Sequence, residues 1–269
     1  MVGFPHAKIN LGLQVIEKRH DGFHNIISCL YPIGWCDVLE VLPAPVFSIN
    51  SSGLEIPGDP QQNLCIKAYQ LLKESHNIPA VQIHLHKIIP MGAGLGGGSS
   101  DAAFMLKMLV ELFDLKVSLP QLQAYAASIG SDCPFFLEDQ PQMVQGRGEI
   151  LSQLPLEWPS GYLLLVCPDI SVNTAQAYDS LQPMAPQYDL PEVLKSGNLR
   201  QWREKLSNDF ETTVFEKFPA IRELKDTFYE LGADYASMSG SGASVFGFFK
   251  LRPETDRIPA HYHQWLQEV

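Results

Sequence analysis

The stretch "PMGAGLGGGSSDAA", from Pro90 to Ala103, carries five glycines between Gly92 and Gly98. It follows the alternating, strand-like segment "VQIHLHKII" and precedes "SSDAAFMLKMLVELF", which is apolar on nearly every side and predicts a buried helix. A strand, a glycine loop and a helix amino terminus together present several backbone N–H groups to a phosphate. The stretch therefore predicts an anion-binding loop.

Two well-known phosphate motifs fit this loop only in part. Gly92, Gly94 and Gly97 satisfy the dinucleotide pattern G-x-G-x-x-G, but the segment after Phe113 indicates another helix rather than a returning parallel strand. Gly92 and Gly97 also have P-loop spacing, yet Gly98 stands where that motif requires lysine. The loop is therefore predicted to be a phosphate-binding loop of a different kind.

The start of the following helix supports the same interpretation. Close packing of a strand on a helix explains one or two glycines, but not five glycines followed by Ser99 and Ser100. Ser99 or Ser100 is the expected N-cap of the helix, and Asp101 is expected in its positively polarised first turn.

Composition narrows the class of protein. The chain has 269 residues, 45% hydrophobic and 18% charged, which is typical of an ordinary folded protein. Its formal net charge of -11 argues against a general nucleic-acid binder or a protein that binds anionic membranes. An anionic substrate must therefore be held by local backbone amides and a few placed cations.

The cysteines and the amino terminus indicate a reducing compartment. The five cysteines are scattered and form no C-x-x-C pair, which predicts free thiols, no disulfide framework and no zinc site. "MVGFPHAKIN" lacks the regions of a signal peptide, and no apolar run approaches the roughly 20 residues of a membrane helix. The cytoplasm is the expected location. His84 and His86, on one side of a strand, are interpreted as exposed polar residues rather than metal ligands.

The order of elements predicts two domains. "NLCIKAYQLLKESH" has helical spacing of apolar residues, and a further helix is expected from about Ser118 to Gly130. Turn residues cluster from Leu154 to Gly161, which places a boundary there and gives domains of residues 1–156 and 157–269. The β, α, α, β order beyond the boundary suits a small α+β domain.

With these observations in place, the chain resembles the GHMP kinases, which include galactokinase and the homoserine, mevalonate and phosphomevalonate kinases. Besides the glycine loop, "AKINLGL" (residues 7–13), "GSDCPFF" (130–136) and "MSGSGASVF" (238–246) fit the family in the right order. The resemblance implies an α+β fold of two domains, the first like ribosomal protein S5 domain 2 and the second ferredoxin-like. It also implies ATP and Mg²⁺ as cofactors, without assigning the Mg²⁺ ligands.

Three shorter motifs narrow the resemblance within the family. They are "DGFH" (residues 21–24), "GRGE" (146–149) and "NDFE" (208–211). Together they resemble the members that phosphorylate the 2-hydroxyl of cytidine diphosphate-linked methylerythritol in the non-mevalonate isoprenoid pathway. A kinase for another small alcohol, of the homoserine or mevalonate type, remains an alternative. A non-catalytic nucleotide sensor is the other alternative, although binding ATP alone requires neither Lys8 nor Asp132.

The resemblance implies that Lys8 and Asp132 are the catalytic pair. Asp132 would orient and deprotonate the substrate alcohol, and the Lys8 ammonium would hold Asp132 ionised. The alternatives are a turn cap for Asp132 and an exposed strand lysine for Lys8.

The resemblance also implies how ATP is bound. The β- and γ-phosphates would be wrapped by the loop, with serine hydroxyls assisting or facing Mg²⁺; its residues are Gly92, Gly94, Leu95, Gly96, Gly97, Gly98, Ser99 and Ser100. Asn63, Lys87 and Met91 would surround the adenosine. Lys87 could equally be a solvated charge at the end of a strand.

The substrate side of the resemblance rests on a pair of aromatic residues. Phe23 and Tyr178 stand at the positions whose rings sandwich the cytosine, and His24 would read the edge of the base. Asn10, Thr174 and Asp132 are further substrate-binding candidates, although Thr174 could instead cap a helix. Cys133 is expected to pack in the core. The expected partner is this small molecule alone, with no nucleic acid and no membrane, in a monomer or weak homodimer.

Overall fold

The computed structural model describes residues 1–179 and 181–269. The strands in chain order are β1 (Val2–Gly3), β2 (His6–Lys18), β3 (His24–Cys36), β4 (Val38–Pro43), β5 (Ser48–Gly53), β6 (Val81–Lys87), β7 (Gln142–Gln145), β8 (Ile150–Gln153), β9 (Tyr162–Cys167), β10 (Tyr235–Met238), β11 (Val245–Phe249) and β12 (His263–Glu268). The helices are α1 (Leu64–His76), α2 (Gly97–Leu112), α3 (Leu119–Ile129), α4 (Thr174–Asp179), α5 (Leu190–Lys195), α6 (Leu199–Lys205), α7 (Phe210–Lys217) and α8 (Pro219–Glu230). Mixed helices and strands confirm the predicted α+β class.

The chain divides into two compact units that are discontinuous in sequence. The first unit holds residues 1–8, 33–91 and 96–139, and the second holds residues 9–32, 92–95 and 140–269. The predicted division into domains of residues 1–156 and 157–269 stays a prediction.

The first unit is built on a mixed sheet in the order β1-β4-β6-β5, with β4 antiparallel and β5 parallel to β6. Along β6 every second side chain is buried, and the intervening Gln82, His84 and His86 are exposed, which confirms the predicted strand. Helices α1, α2 and α3 pack against one another, and α2 also contacts β4. The buried residues of α2, such as Leu106 and Leu109, extend the apolar core of this unit.

The amino end of α2 differs from the prediction. The helix begins at Gly97 with Gly96 as its N-cap, so the expectation of a Ser99 or Ser100 cap is wrong. Gly96 has a φ of 71°, a left-handed conformation that favours glycine, and this lets the loop enter the helix earlier than a serine cap would. Asp101 consequently lies beyond the first turn, contrary to expectation.

Helix α3 follows its predicted boundaries. Ser118 is the N-cap, and its Oγ accepts a hydrogen bond from Gln121 N at 3.4 Å. Gly130 is the C-cap, at the start of the "GSDCPFF" segment. The end of this helix therefore lies three residues before Asp132.

The second unit contains the antiparallel sheet β10-β11-β9-β12 and strand pairing of β3 with β7 and β7 with β8. Helices α7 and α8 pack on each other, and α8 contacts β10 and β11. Phe210, Val214, Ile221 and Phe228 from these helices lie in one apolar cluster with Val245. No helix among the described residues has the length and apolarity needed to cross a membrane.

Candidate active site

The phosphate loop, defined here as Gly92–Ser100, depends on glycine for its backbone path. Gly92, Gly94 and Gly96 have φ values of 66°, 77° and 71°, in the left-handed region. A Cβ on Gly94 would lie 2.1 Å from the carbonyl oxygen of Ser239. A Cβ on Gly96 would lie 2.8 Å from Phe136 Cζ. The loop therefore excludes side chains at these positions for reasons of both conformation and space.

The amino terminus of α2 is suited to bind an anion. The first N–H groups of an α-helix have no partner within the helix, and the helix dipole makes that end positive. Ser100 N is the first amide to bond within the helix, to Gly96 O at 2.9 Å, so the amides of Gly97, Gly98 and Ser99 precede the helical ladder. Ser100 Oγ is buried and has no hydrogen-bond partner among the described residues.

Lys8 and Asp132 are brought together in the first unit. Lys8 is only 4% exposed, so the alternative of an exposed strand lysine is wrong. A side chain on Gly96 would begin 3.3 Å from Lys8 Cε, which places the lysine beside the start of α2. Burial lowers the pKa of Lys8, and the Asp132 carboxylate acts in the opposite direction. The structure therefore provides a cation at the end of a helix whose dipole also favours an anion.

Asp132 itself is partly exposed at the start of the 3-10 helix Cys133–Leu137. Its side chain makes no capping hydrogen bond there, so the turn-cap alternative is wrong. Ser131 Oγ donates to Asp132 Oδ1 at 3.4 Å. The neighbouring Cys133 is buried, and burial raises the pKa of its thiol to about 11, which supports the predicted packing role.

Lys87 lies in a buried cluster of charges that the sequence did not reveal. Its side chain is fully buried, so the alternative of a solvated charge is wrong. The ammonium bonds to Asp37 Oδ2 and, at 2.8 Å, to Asp101 Oδ2. The other oxygen of Asp37 accepts from Ile88 N at 2.6 Å and Ile89 N at 2.9 Å. The cluster therefore connects the end of β6, which precedes the phosphate loop, to helix α2, which follows it.

The other two residues predicted around adenosine, Asn63 and Met91, lie near the amino end of α2. Asn63 is the N-cap of α1, and its Oδ1 accepts from Cys65 N at 2.9 Å. Met91 is 38% exposed, and a side chain on Gly98 would begin 3.7 Å from Met91 Cε. Their contact with a nucleotide stays a prediction.

The second unit contains a pocket that gathers the predicted cytosine residues. Its volume is about 480 Å³, and it is lined by Lys18, Gly22, Phe23, His24, Arg147, Thr174, Ala175, Tyr178, Leu181 and Pro183. His24 stacks on Tyr178 with ring centroids 4.6 Å apart and planes at 12°. Phe23 is 55% exposed, and the Arg147 guanidinium lies 4.9 Å from its ring centroid. One face of Tyr178 is thus covered by His24, so the predicted sandwich with Phe23 stays a prediction.

The chemistry of His24 suits recognition of a polar base edge. Burial, and secondarily the Lys18 ammonium, lower the pKa of His24. A neutral imidazole has one donor and one acceptor nitrogen, which matches the mixed donors and acceptors of a nucleobase.

Asn10 and Thr174 lie in hydrogen-bonded positions of the second unit. Asn10 is buried, and its Nδ2 donates to Ser28 Oγ at 2.8 Å. Thr174 Oγ1 is 2.8 Å from Ser241 Oγ. Asn173 caps α4, because its Oδ1 accepts from Gln176 N at 3.2 Å, so the capping alternative for Thr174 is wrong.

The described residues offer few arrangements of metal-ligating side chains. Within residues 1–179 and 181–269, no group of three or more His, Cys, Asp or Glu side chains is arranged to hold a metal ion. His84 Nε2 and His86 Nδ1 both lie within hydrogen-bond distance of Ser52 Oγ, at 3.1 and 2.9 Å.

Comparison with known proteins identifies the family of this chain. The sequence model of the GHMP kinases N terminal domain matches residues 63–140, and that of the GHMP kinases C terminal domain matches residues 190–265. The chain belongs to the GHMP kinase family. It is therefore an ATP-dependent kinase that acts on a small molecule.

Individual relatives refine this result. A 4-diphosphocytidyl-2-C-methyl-D-erythritol kinase from Cytophaga hutchinsonii is 49% identical over 95% of this chain and 94% of its own length. A crystal structure of 4-(cytidine 5'-diphospho)-2C-methyl-D-erythritol kinase is similar with a TM-score of 0.86 and 32% identity, over 99% of this chain and 98% of that one. A homoserine kinase from Cytophaga hutchinsonii has a TM-score of 0.68 but 16% identity, over 100% and 94% of the chains, which shows the fold alone.

Proposed function

We propose that this kinase transfers the γ-phosphate of ATP to the 2-hydroxyl of 4-diphosphocytidyl-2-C-methyl-D-erythritol and releases ADP. The observation that carries the substrate choice is the pocket of the second unit, where Phe23, His24 and Tyr178 lie together. Two aromatic faces and a neutral imidazole suit a cytosine ring. The relative with 49% identity carries the name of this same kinase.

The phosphate loop supplies the ATP side of the reaction. The amides of Gly97, Gly98 and Ser99 would bind the β- and γ-phosphates at the positive end of α2. Lys8 would add a full positive charge at the same helix end. Phosphoryl transfer depends on such positioning and charge neutralisation, since the protein does little covalent chemistry.

Asp132 supplies the acceptor side. The substrate oxygen forms a bond to the γ-phosphorus, while the bond from that phosphorus to the bridging oxygen of ADP breaks. The proton of the alcohol passes to the Asp132 carboxylate, which acts as general base. Burial lowers the pKa of Lys8, and the nearby Asp132 carboxylate opposes that shift, so the two side chains interact electrostatically.

We infer that Mg²⁺ accompanies the nucleotide and neutralises its phosphate charge. In sites of this type Mg²⁺ keeps several waters and is held by phosphate oxygens with one or two protein oxygens. The lack of a three-residue ligand cluster among the described residues fits that arrangement. Ser99, partly exposed in the first turn of α2, is the hydroxyl we expect nearest to the ion.

Substrate competition tests the proposed function. ADP release is measured with ATP and the cytidine substrate, with homoserine, and with mevalonate, at equal concentrations. We expect turnover with the cytidine substrate to exceed the other two by at least about 1000-fold, because a site built around unpaired polar groups rejects ligands that cannot pair with them. Comparable turnover with homoserine or mevalonate would assign the chain to another branch of the family.

We further infer that the kinase works in the cytoplasm as a monomer or weak homodimer, without nucleic acid or membrane. The free state of all five cysteines and the net charge of -11 support this setting. Sedimentation of the purified protein across concentrations checks the oligomeric state.

A further inference from the structure

The segment Asn208–Glu211, with sequence "NDFE", makes a set of hydrogen bonds that the proposed function does not use. Its polar side chains bond to backbone groups of β2, β10 and the turn that follows β10. We call residues Ser239–Gly242 the glycine turn. All of these residues belong to the second unit.

Asn208 holds the glycine turn directly. The side chain is 2% exposed, and its Nδ2 donates to Met238 O and to Gly240 O, each at 2.8 Å. Its Oδ1 accepts from Phe210 N at 3.1 Å, at the start of α7. The amide group of Asn208 therefore bonds to the end of β10 and to the turn that follows it, while the amide oxygen bonds to the start of α7.

Two other residues of the segment, Asp209 and Glu211, bond to the strands next to the turn. Glu211 Oε1 accepts from Met238 N at 2.8 Å, and its Oε2 pairs with Lys225 Nζ at 2.6 Å. Asp209 Oδ2 accepts from Val15 N at 2.7 Å, which attaches the segment to β2. Strand β2 also carries Asn10, one of the predicted substrate residues.

The glycine turn in turn contacts the first part of the phosphate loop. Ser239 Oγ donates to Gly94 O at 2.9 Å and accepts from Asn10 N at 3.3 Å. Ser244 N, just after the turn, donates to Ala93 O at 3.2 Å. The backbones approach so closely that a Cβ on Gly94 would lie 2.1 Å from Ser239 O. A displacement of the turn must therefore displace the loop.

We propose that Asn208 is a positioning residue for phosphoryl transfer, acting through the glycine turn on the Gly92–Leu95 part of the phosphate loop. It touches neither the nucleotide nor the acceptor. Its two donors set the position of the turn, and the turn sets the position of the loop backbone. This inference rests on the proposed function for its turnover measurements but not for its nucleotide-binding measurements.

The main test is Asn208→Asp. The variant keeps an oxygen that can accept from Phe210 N, but it replaces the donor by an oxygen that faces the carbonyls of Met238 and Gly240. Because a misplacement of about 1 Å can cost about 100-fold in rate, we expect kcat/KM for ATP to fall by about 100-fold. Hydrogen exchange at residues 239–244 should become faster, and the variant should bind a non-hydrolysable ATP analogue more weakly than wild type.

Thr213→Val is the matched control. Thr213 is buried in α7, the helix that follows Asn208, and its hydroxyl bonds to Ala177 O at 3.2 Å and Phe210 O at 3.3 Å rather than to the turn. All variants are assayed at a temperature where circular dichroism shows them folded. We expect Thr213→Val to keep kcat/KM for ATP within about 2-fold of wild type, because neither hydrogen bond of its hydroxyl reaches the glycine turn. Equal losses in Thr213→Val and Asn208→Asp would mean that Asn208 matters only for stability, and the proposal would be overturned.

A double-mutant cycle with Ser239→Ala tests the route through the turn. Residues that act on one element are coupled, so Ser239→Ala should lower kcat/KM by much less in the Asn208→Asp background than in wild type. Independent, multiplying effects would refute the proposed route. Asn208→Ala, which leaves room for water to bond the two carbonyls, replaces Asn208→Asp in the cycle if the latter does not fold. If wild type binds the ATP analogue without phosphorylating the cytidine substrate, the proposed function fails, while the nucleotide affinities still decide the role of Asn208.

Discussion

The catalytic region of the first unit and the pocket of the second unit are built by opposite means. In the first unit the two lysines predicted to function are enclosed: Lys8 is 4% exposed, and the Lys87 side chain is fully buried beside Asp37 and Asp101. In the second unit Phe23 is 55% exposed, and His24 and Tyr178 meet by stacking rather than through charge. Charge that moves during phosphoryl transfer needs fixed partners, whereas a base can stack on any flat ring. The first unit thus encloses these two lysines, whereas the pocket of the second unit leaves an aromatic ring open to solvent.

Asp132→Asn should produce the largest effect. We expect kcat to fall by about 100-fold to 10,000-fold, because the amide cannot accept the proton of the alcohol. A coupled assay of ADP release measures this, and KM for ATP should change little. Turnover equal to that of wild type would exclude Asp132 as the base. The first unit could then not be contrasted with the second as the catalytic region.

Lys87→Met should have the next largest effect, on stability. It leaves Asp37 and Asp101 buried without their cation, and removing one partner of a buried ion pair typically costs about 3–5 kcal/mol. Urea denaturation measures the free energy of unfolding. Lys116→Met is the control, since Lys116 and Asp114 form an exposed pair and its loss should cost less than about 1 kcal/mol. Equal losses of unfolding free energy in both variants would show that the buried cluster contributes no more to stability than an exposed ion pair.

Phe23→Ala and Tyr178→Ala should separate the pocket from the catalytic region. Stacking of one base on an aromatic ring is worth about 1–3 kcal/mol, so we expect KM for the cytidine substrate to rise by about 10-fold or more. KM for ATP should remain that of wild type. Phe4→Ala, which removes another exposed ring, serves as the control. Unchanged KM values in both pocket variants would contradict the proposed cytidine substrate, but not the assignment of the chain to the GHMP kinase family.

Asp101→Asn should change the pH dependence of stability. Burial raises the pKa of Asp101 to about 7, above the value of about 3.9 expected in an unfolded chain. The folded state therefore holds a proton that the unfolded state releases, and this contribution to stability is lost as pH rises from about 4 through about 7. Denaturation curves at about pH 5 and about pH 7.5 should show a smaller loss in the variant than in wild type. Parallel losses would mean that Asp101 is ionised throughout.

The sequence predicted those features that depend on local rules. The strand and the helix on either side of the glycine loop followed from the pattern of apolar residues, and α3 followed from Ser118 and Gly130 at its ends. The start of α2 was mispredicted, because the N-cap rule favours serine while a left-handed Gly96 ends the loop earlier. Features that join distant residues could not be predicted from spacing at all.

The buried charge cluster is the clearest example of that limit. Asp37, Lys87 and Asp101 come from a strand start, a strand end and a helix, and no periodicity relates them. The stacking of His24 on Tyr178 likewise joins residues far apart in the chain. Resemblance placed both of these rings at a cytosine site but said nothing of their mutual contact. Only the folded chain decides which polar and aromatic groups satisfy each other.

Under the proposed binding of ATP at the phosphate loop, the position of Lys8 beside Gly96 would link nucleotide binding to proton uptake. Two sources of positive potential meet there, the lysine and the end of α2, and burial lowers the pKa of Lys8. A polyphosphate arriving at this helix end reverses the balance and favours the ammonium form. The nucleotide therefore brings a proton to Lys8 when pH is high enough to remove it beforehand. By linkage, we then expect alkaline solution to weaken the affinity for ATP.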